Sequence, residues 1–174
     1  MITTSNAPAE ILRFGYGAAA LGTIAVAESD RGVAALFIGD DRARLLRDLK
    51  QAFPGARLIE DQDGLAGTIA KAASLMNAPH LGADLTLDLR GSDLEQAVWR
   101  ALQAIPSGET RTYGALAKAL PMAATAQEVG AACAANRIAV AVPCHRVVKA
   151  DGSISGYRWG VPRKRRLINM EVVA

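Results

Sequence analysis

The hydrophobic pattern of this chain changes its period at Gly91-Ser92, and that change limits the fold more than any other feature of the sequence. Before it, Leu21–Glu28 and Val33–Ile38 are apolar, β-branched runs either side of Ser29-Asp30-Arg31-Gly32, which predicts a hairpin. Asp41–Phe53 carries Leu45, Leu46 and Leu49 at helical spacing and stops at Pro54-Gly55; Leu65–Met76 is a second helical pattern. Leu85, Leu87 and Leu89 alternate with Thr86, Asp88 and Arg90, the period of a half-buried strand. After Gly91 the signals are helical. Ser92-Asp93-Leu94-Glu95 is a capping box, followed by Leu94, Val98, Ala101, Leu102 and Ile105 along one face as far as Pro106. A short helix is expected from Tyr113 to Leu120, closed by Pro121, and Thr125–Glu128 is a second capping box ahead of a small-residue helix, Val129 to Ala135. This pair has the form of a helix-turn-helix. The expectation is an α+β protein, with an α/β unit over 1–90 and a mostly helical unit over 91–174.

Charge follows the same division. Residues 1–90 hold 9 basic and 11 acidic side chains, net −2, and residues 91–174 hold 11 and 6, net +5, so the overall +3 averages two opposite halves. Positive charge is densest between Pro143 and Arg166, where seven basic residues face Asp151 alone, and such a face suits phosphate if catalytic residues share it. The Arg163–Arg166 run reads equally well as the solvated start of a last helix set against the acidic first half. With 51% hydrophobic residues the chain can bury a core, and no stretch approaches 18 uninterrupted apolar residues. Two cysteines and two histidines are too few for a disulfide framework or a Cys/His metal site. No metal or cofactor is expected, and the reading is of a cytoplasmic monomer without a membrane segment.

Chemistry concentrates in Val140-Ala141-Val142-Pro143-Cys144-His145-Arg146-Val147-Val148, where a thiol stands beside an imidazole and a guanidinium. A thiol attacks as its thiolate, which a proton acceptor or a positive charge favours. Adjacent side chains diverge, so a water is needed to join Cys144 to His145. A histidine base also needs a carboxylate partner, and the residues alone leave Glu171, Asp151 and Glu128 open. Cys133, set among alanines on its helix, reads as a packed thiol.

Pro143-Cys144-His145-Arg146-Val147-Val148, then Gly152 and Ser155-Gly156-Tyr157-Arg158-Trp159-Gly160, with Tyr113, Asn136 and Glu171 at matching spacing, resembles the O6-alkylguanine-DNA alkyltransferases. Gly91–Arg166 is especially similar to the C-terminal domain of the bacterial Ada adaptive-response proteins, and Leu12–Leu89 to the family's less distinctive N-terminal domain. The resemblance implies a ribonuclease-H-like α/β roll followed by a winged-helix-like domain. It implies a partner, double-stranded DNA containing O6-alkylguanine, and also O4-alkylthymine as substrate. The damaged nucleotide is flipped out and its alkyl group passes irreversibly to a cysteine, one turnover per molecule. By position, the resemblance makes Cys144 the acceptor, His145 its water-linked base and Glu171 the carboxylate behind it. Asn136 braces the active-site turn, and Tyr113 sits beside the flipped nucleotide and donates a proton or hydrogen bond to the leaving base. Val147 offers a backbone carbonyl to the guanine amino group, Tyr157 and Arg158 wall the pocket, and Cys133 lines it.

One position departs from the family pattern. Where relatives carry an intercalating arginine on the recognition helix, this chain has Gln127, which lacks the charge and planar stacking of guanidinium. Weaker DNA affinity or slower flipping is expected, unless Arg137 or another basic residue compensates. Two other readings stand beside the leading one: a module that recognises alkylguanine DNA without repairing it, against which Cys144 argues, and a cysteine hydrolase, which would need an oxyanion hole.

Overall fold

The computed structural model describes residues 9–174. Its first half is built on a four-stranded sheet in the order β3-β2-β1-β4: β1 (Glu10–Ala19), β2 (Gly22–Ser29) and β3 (Gly32–Gly39) run antiparallel, and β4 (Ala56–Glu60) lies parallel beside β1. The expected hairpin is β2–β3. Strands β1 and β4 were not anticipated: β1 places Leu12, Phe14 and Tyr16 inward while Gly15 and Gly17 interrupt the alternation, and β4 is short and largely exposed. Those two glycines let a helix come close, since a Cβ at either would meet the Ile69 side chain within 2.8 Å. Helix α1 (Arg42–Ala52) starts where Asp41 accepts from the Ala43 N–H and buries Leu45 and Leu49; α2 (Ala66–Asn77) buries Ile69, Ala72, Leu75 and Met76.

The strand expected over Leu85–Leu89 does not form. Among the described residues only one bridge is made, between Val33 and Leu87, through Val33 N–H to Thr86 O and Asp88 N–H to Val33 O, both 2.8 Å. The alternation fails because Asp88 is the most buried residue of the segment, with its carboxylate accepting from Ser29 Oγ at 2.6 Å and from the Arg90 guanidinium at 2.8 Å. Arg90 also pairs with Glu10, so a polar network replaces the apolar edge of a strand.

In the second half, α3 (Asp93–Gln103) and α5 (Ala126–Ala134) both open with complete capping boxes, from Ser92 with Glu95 and from Thr125 with Glu128. Helix α5 therefore begins nearly a turn before Val129. Between them lie β5 (Arg111–Thr112) and α4 (Tyr113–Ala119), and β5 pairs in parallel with β6 (Val147–Val148). Trp99 is core: its indole N–H donates to Ala132 O at 2.9 Å and ties α3 to α5. The chain closes with α6 (Val161–Val172). The fold is thus mixed α and β, a small sheet with six α-helices among the described residues, and none of those helices is long and apolar enough to cross a membrane.

The outer edge of β3 carries the segment that leads to Cys144. Leu36 N–H donates to Arg137 O and Ala139 N–H to Leu36 O, each at 2.9 Å, which stitches residues 137–139 to the sheet directly ahead of Pro143. Phe37 of the same strand packs on Trp159 with ring centroids 6.3 Å apart. Arg163 reaches Asp40 at 2.7 Å and Leu21 O at 2.8 Å, and Arg166 reaches Ala20 O, so two of the four basic residues at the start of α6 meet the first half. Lys164 corrects the expectation of a solvated run, because it is wholly buried.

Candidate active site

The turn that presents Cys144 is built from strain and one asparagine. Val140 has φ +68°, a region a β-branched residue rarely enters, and Ala141 N–H donates to Ala139 O at 2.7 Å across it. Asn136, just past the end of α5 and 1% exposed, holds this turn from inside. Its Oδ1 accepts from Ile138 N–H at 2.9 Å, and its Nδ2 donates to Val142 O at 2.9 Å and to Cys144 Sγ at 3.4 Å. A 3₁₀ turn, Cys144–Arg146, then sends Cys144 and His145 in different directions.

His145 is fully buried and its Nε2 is hydrogen-bonded to Glu171 Oε1. The other carboxylate oxygen accepts from Arg146 Nε at 2.7 Å and from Gly108 N–H at 3.2 Å. Arg146 is fixed in turn by Ile105 O at 2.7 Å. Burial pushes the Glu171 carboxyl up, but its bonds to His145 and Arg146 outweigh that and bring it down to about 2. Burial also lowers His145 below its ordinary value against the pull of Glu171, so the resting pair is a neutral imidazole on a carboxylate. Since Glu171 accepts only, Nε2 carries the hydrogen and Nδ1 keeps its lone pair; Nδ1 has no protein partner among the described residues. The imidazole's tautomer is thus set from behind, with an accepting nitrogen left over.

The two thiols share a pocket of about 370 Å³, lined by Tyr113, Cys133, Cys144, Gly156, Tyr157 and Arg158 among others, within the range of sites that take one planar ligand. Burial raises both. Cys133, with no hydrogen bond donated to its sulfur among the described residues, is pushed up to about 12. For Cys144 the Asn136 donor and the charges of Lys164 and Arg158 oppose the burial, so it is raised with help at hand to form the thiolate. A broader cleft of about 1010 Å³ shares the Tyr157–Arg158 wall but is lined by no cysteine.

Of the other residues singled out in the sequence, Tyr113 lies on the pocket wall with its hydroxyl bonded to Ser155 Oγ. Arg158 donates to Asn136 O at 3.0 Å and lies 5.0 Å over the Phe37 ring. Trp159 is buried between Phe37 and Tyr157. Val147 is buried in β6 and its side chain does not line the pocket. Gln127 is exposed on the first turn of α5. Arg137 lies 5.2 Å over the Phe53 ring, outside the pocket. Three residues without an assigned role belong to the site: Arg146, Ser155 and Lys164. For Lys164 the signal was its spacing, since Lys164, Leu167 and Glu171 are the buried face of α6 at i, i+3 and i+7. Among the described residues no group of three or more acidic, His or Cys side chains is placed to hold a metal ion.

Comparison with known proteins agrees with this geometry. Residues 93–173 match the family model described as 6-O-methylguanine DNA methyltransferase, DNA binding domain. The bifunctional transcriptional activator/DNA repair enzyme Ada of Escherichia coli is 41% identical over 160 residues, 92% of this chain and 45% of Ada, so the chain spans less than half of that relative. The methylated-DNA--protein-cysteine methyltransferase of Mycobacterium tuberculosis is 42% identical over 130 residues, 72% of this chain and 78% of that protein. Among solved structures, Mycobacterium tuberculosis OGT in complex with DNA superposes with a TM-score of 0.76 at 32% identity, covering 92% of this chain and 93% of that one. The chain belongs to the methylated-DNA--protein-cysteine methyltransferase family.

Proposed function

We propose that this protein repairs DNA by moving the alkyl group of O6-alkylguanine, and of O4-alkylthymine, irreversibly onto Cys144. The observation that carries the reading is a cysteine in a base-sized pocket backed by a fully buried His145–Glu171 pair. The α4–α5 pair docks on duplex DNA, and the damaged nucleotide turns out of the stack into the pocket. Tyr113 meets the flipped nucleotide and Gln127 occupies the space it leaves. Tyr157 and Arg158 wall the base, with the Val147 carbonyl offered to its amino group, and Cys133 contributes an unreactive side. Arg137, held on Phe53, supports the turn and takes no part in intercalation.

The thiol proton passes through a water to His145 Nδ1, and the imidazolium is stabilised by Glu171, already ionised and held by Arg146. Cys144 sulfur then bonds to the alkyl carbon as the carbon–O6 bond breaks, with the electron pair leaving on the guanine. The thioether has no route back, so each molecule acts once. Residues 91–174 carry this chemistry and residues 1–90 hold it in place, in the cytoplasm.

Incubation with duplex DNA containing O6-methylguanine, followed by intact-mass measurement, tests the proposal. The mass should rise by one methyl in place of hydrogen, with repaired guanine equal to protein consumed and no rise in Cys144→Ala. Repeated turnover would point to hydrolysis. Binding without a mass change would point to a recognition module, and either result would sink the reading.

A further inference from the structure

Lys164 is a buried cation whose charge favours the Cys144 thiolate, but whose hydrogen bonds run elsewhere. It is 0% exposed, and burial lowers its ammonium below the ordinary lysine value. Its Nζ donates to Ser155 Oγ at 2.9 Å and to Gly156 O at 3.4 Å, and Ser155 Oγ is bonded in turn to Tyr113 Oη on the pocket wall. The polarity of this chain is fixed at one end, because an ammonium only donates. Ser155 oxygen therefore accepts from Lys164 and turns its own hydrogen to Tyr113 oxygen. The tyrosine hydrogen is then left for the pocket.

We infer that Lys164, acting through Ser155 and Tyr113, is the positioning residue that keeps a proton aimed at the leaving guanine. The inference rests on the repair reading above. As sulfur bonds to the alkyl carbon and the carbon–O6 bond breaks, guanine departs with the electron pair and must gain one proton. Tyr113 gives its hydroxyl proton to the base, Ser155 gives its own to Tyr113, and Lys164 gives one to Ser155 and becomes a neutral amine. The thiol proton has gone the other way, to His145. His145 gains the cysteine proton, Lys164 supplies the one that guanine takes, and methyl replaces hydrogen on sulfur, so charge is conserved across the step.

The alternative role for Lys164 is to stabilise the Cys144 thiolate by charge alone, and two rates separate the two. One is single-turnover methyl transfer from O6-methylguanine duplex at saturating DNA. The other is alkylation of Cys144 by iodoacetamide without DNA, followed on the Cys144 peptide. Iodide leaves without a proton, so the second rate reads thiol reactivity only. The ratio of transfer to alkylation should fall about tenfold or more in Ser155→Ala and recover in Ser155→Thr, which keeps the hydroxyl. Lys164→Met should lower the ratio by a similar factor, and the double variant by no more than either alone, as members of one chain do. Equal losses in both rates, factors that multiply in the double variant, or an unchanged ratio would each overturn the relay. Wild-type protein that takes up no methyl group would overturn the repair reading itself, before any variant is compared.

Discussion

Two buried carboxylates organise this molecule, and they have been put to different ends. Asp88 accepts from Ser29 and Arg90, and Arg90 also pairs with Glu10. Glu171 accepts from Arg146, Gly108 and His145. Both sit near 5% exposure and both stay ionised because an arginine and a hydrogen-bond donor offset the cost of burial. The Asp88 network ends on a serine whose oxygen is satisfied within the turn. The Glu171 network ends on an imidazole with a lone pair left over, behind a thiol. On the proposed function, what sets the second pair apart for catalysis is an end that is still open.

Removing the open end should have the largest effect. Glu171→Gln is expected to slow methyl transfer about 100-fold or more at saturating DNA, the usual worth of a positioned base, while DNA affinity stays within about threefold. Asp88→Asn should leave the transfer rate within about twofold and act on stability, lowering the melting temperature. Loss of DNA binding in step with rate in Glu171→Gln would make the two networks equivalent, both holding the fold.

Acid should separate them next. His145 has a folded pKa below its ordinary 6.5, so the unfolded chain takes up its proton first and stability is lost as pH falls below about 6.5. Glu171, lowered from 4.5 to about 2, adds stability that is fully present above 4.5 and lost as pH falls from there toward 2. Asp88, lowered from 3.8, begins to contribute to acid lability only beneath that value. Denaturant melts from pH 7 to pH 5 should therefore show a loss that His145→Phe removes and Asp88→Asn leaves intact. The same slope in both variants would contradict the assignment.

The smallest effect concerns DNA. Gln127→Arg returns a charge to an exposed position at the start of α5, and should tighten binding several-fold and steepen the salt dependence by about one counterion. Tighter binding without a steeper salt slope would mean that the new side chain packs without meeting phosphate.

The same contrast explains what could be read from the sequence. Helices α1, α2, α3 and α5 were legible because caps and apolar spacing are local, and Cys144, His145, Asn136 and Glu171 because their spacing matches a known pattern. The Leu85–Leu89 strand misled because the alternation has no term for Asp88, whose burial depends on Ser29, 59 residues away. Strand β4 finds its partner β1 across more than 40 residues, with little apolar pattern of its own. Lys164 was hidden inside Arg163–Arg166: charge is counted along the chain, but a helix turns each residue about 100° from the last, so one basic residue of four points inward beside Leu167. Arg146 and Ser155 were in plain view within the motif, and only the folded contacts give them work.

The most direct test of the account is where the methyl group goes. Protein treated with a small excess of O6-methylguanine duplex, digested and mapped by peptide mass, should carry it on Cys144 in every modified molecule and on Cys133 in none, since among the described residues only Cys144 of the two has a hydrogen bond to its sulfur, and the proposed base stands behind it. Methylation of Cys133, or transfer that persists in Cys144→Ala, would contradict it.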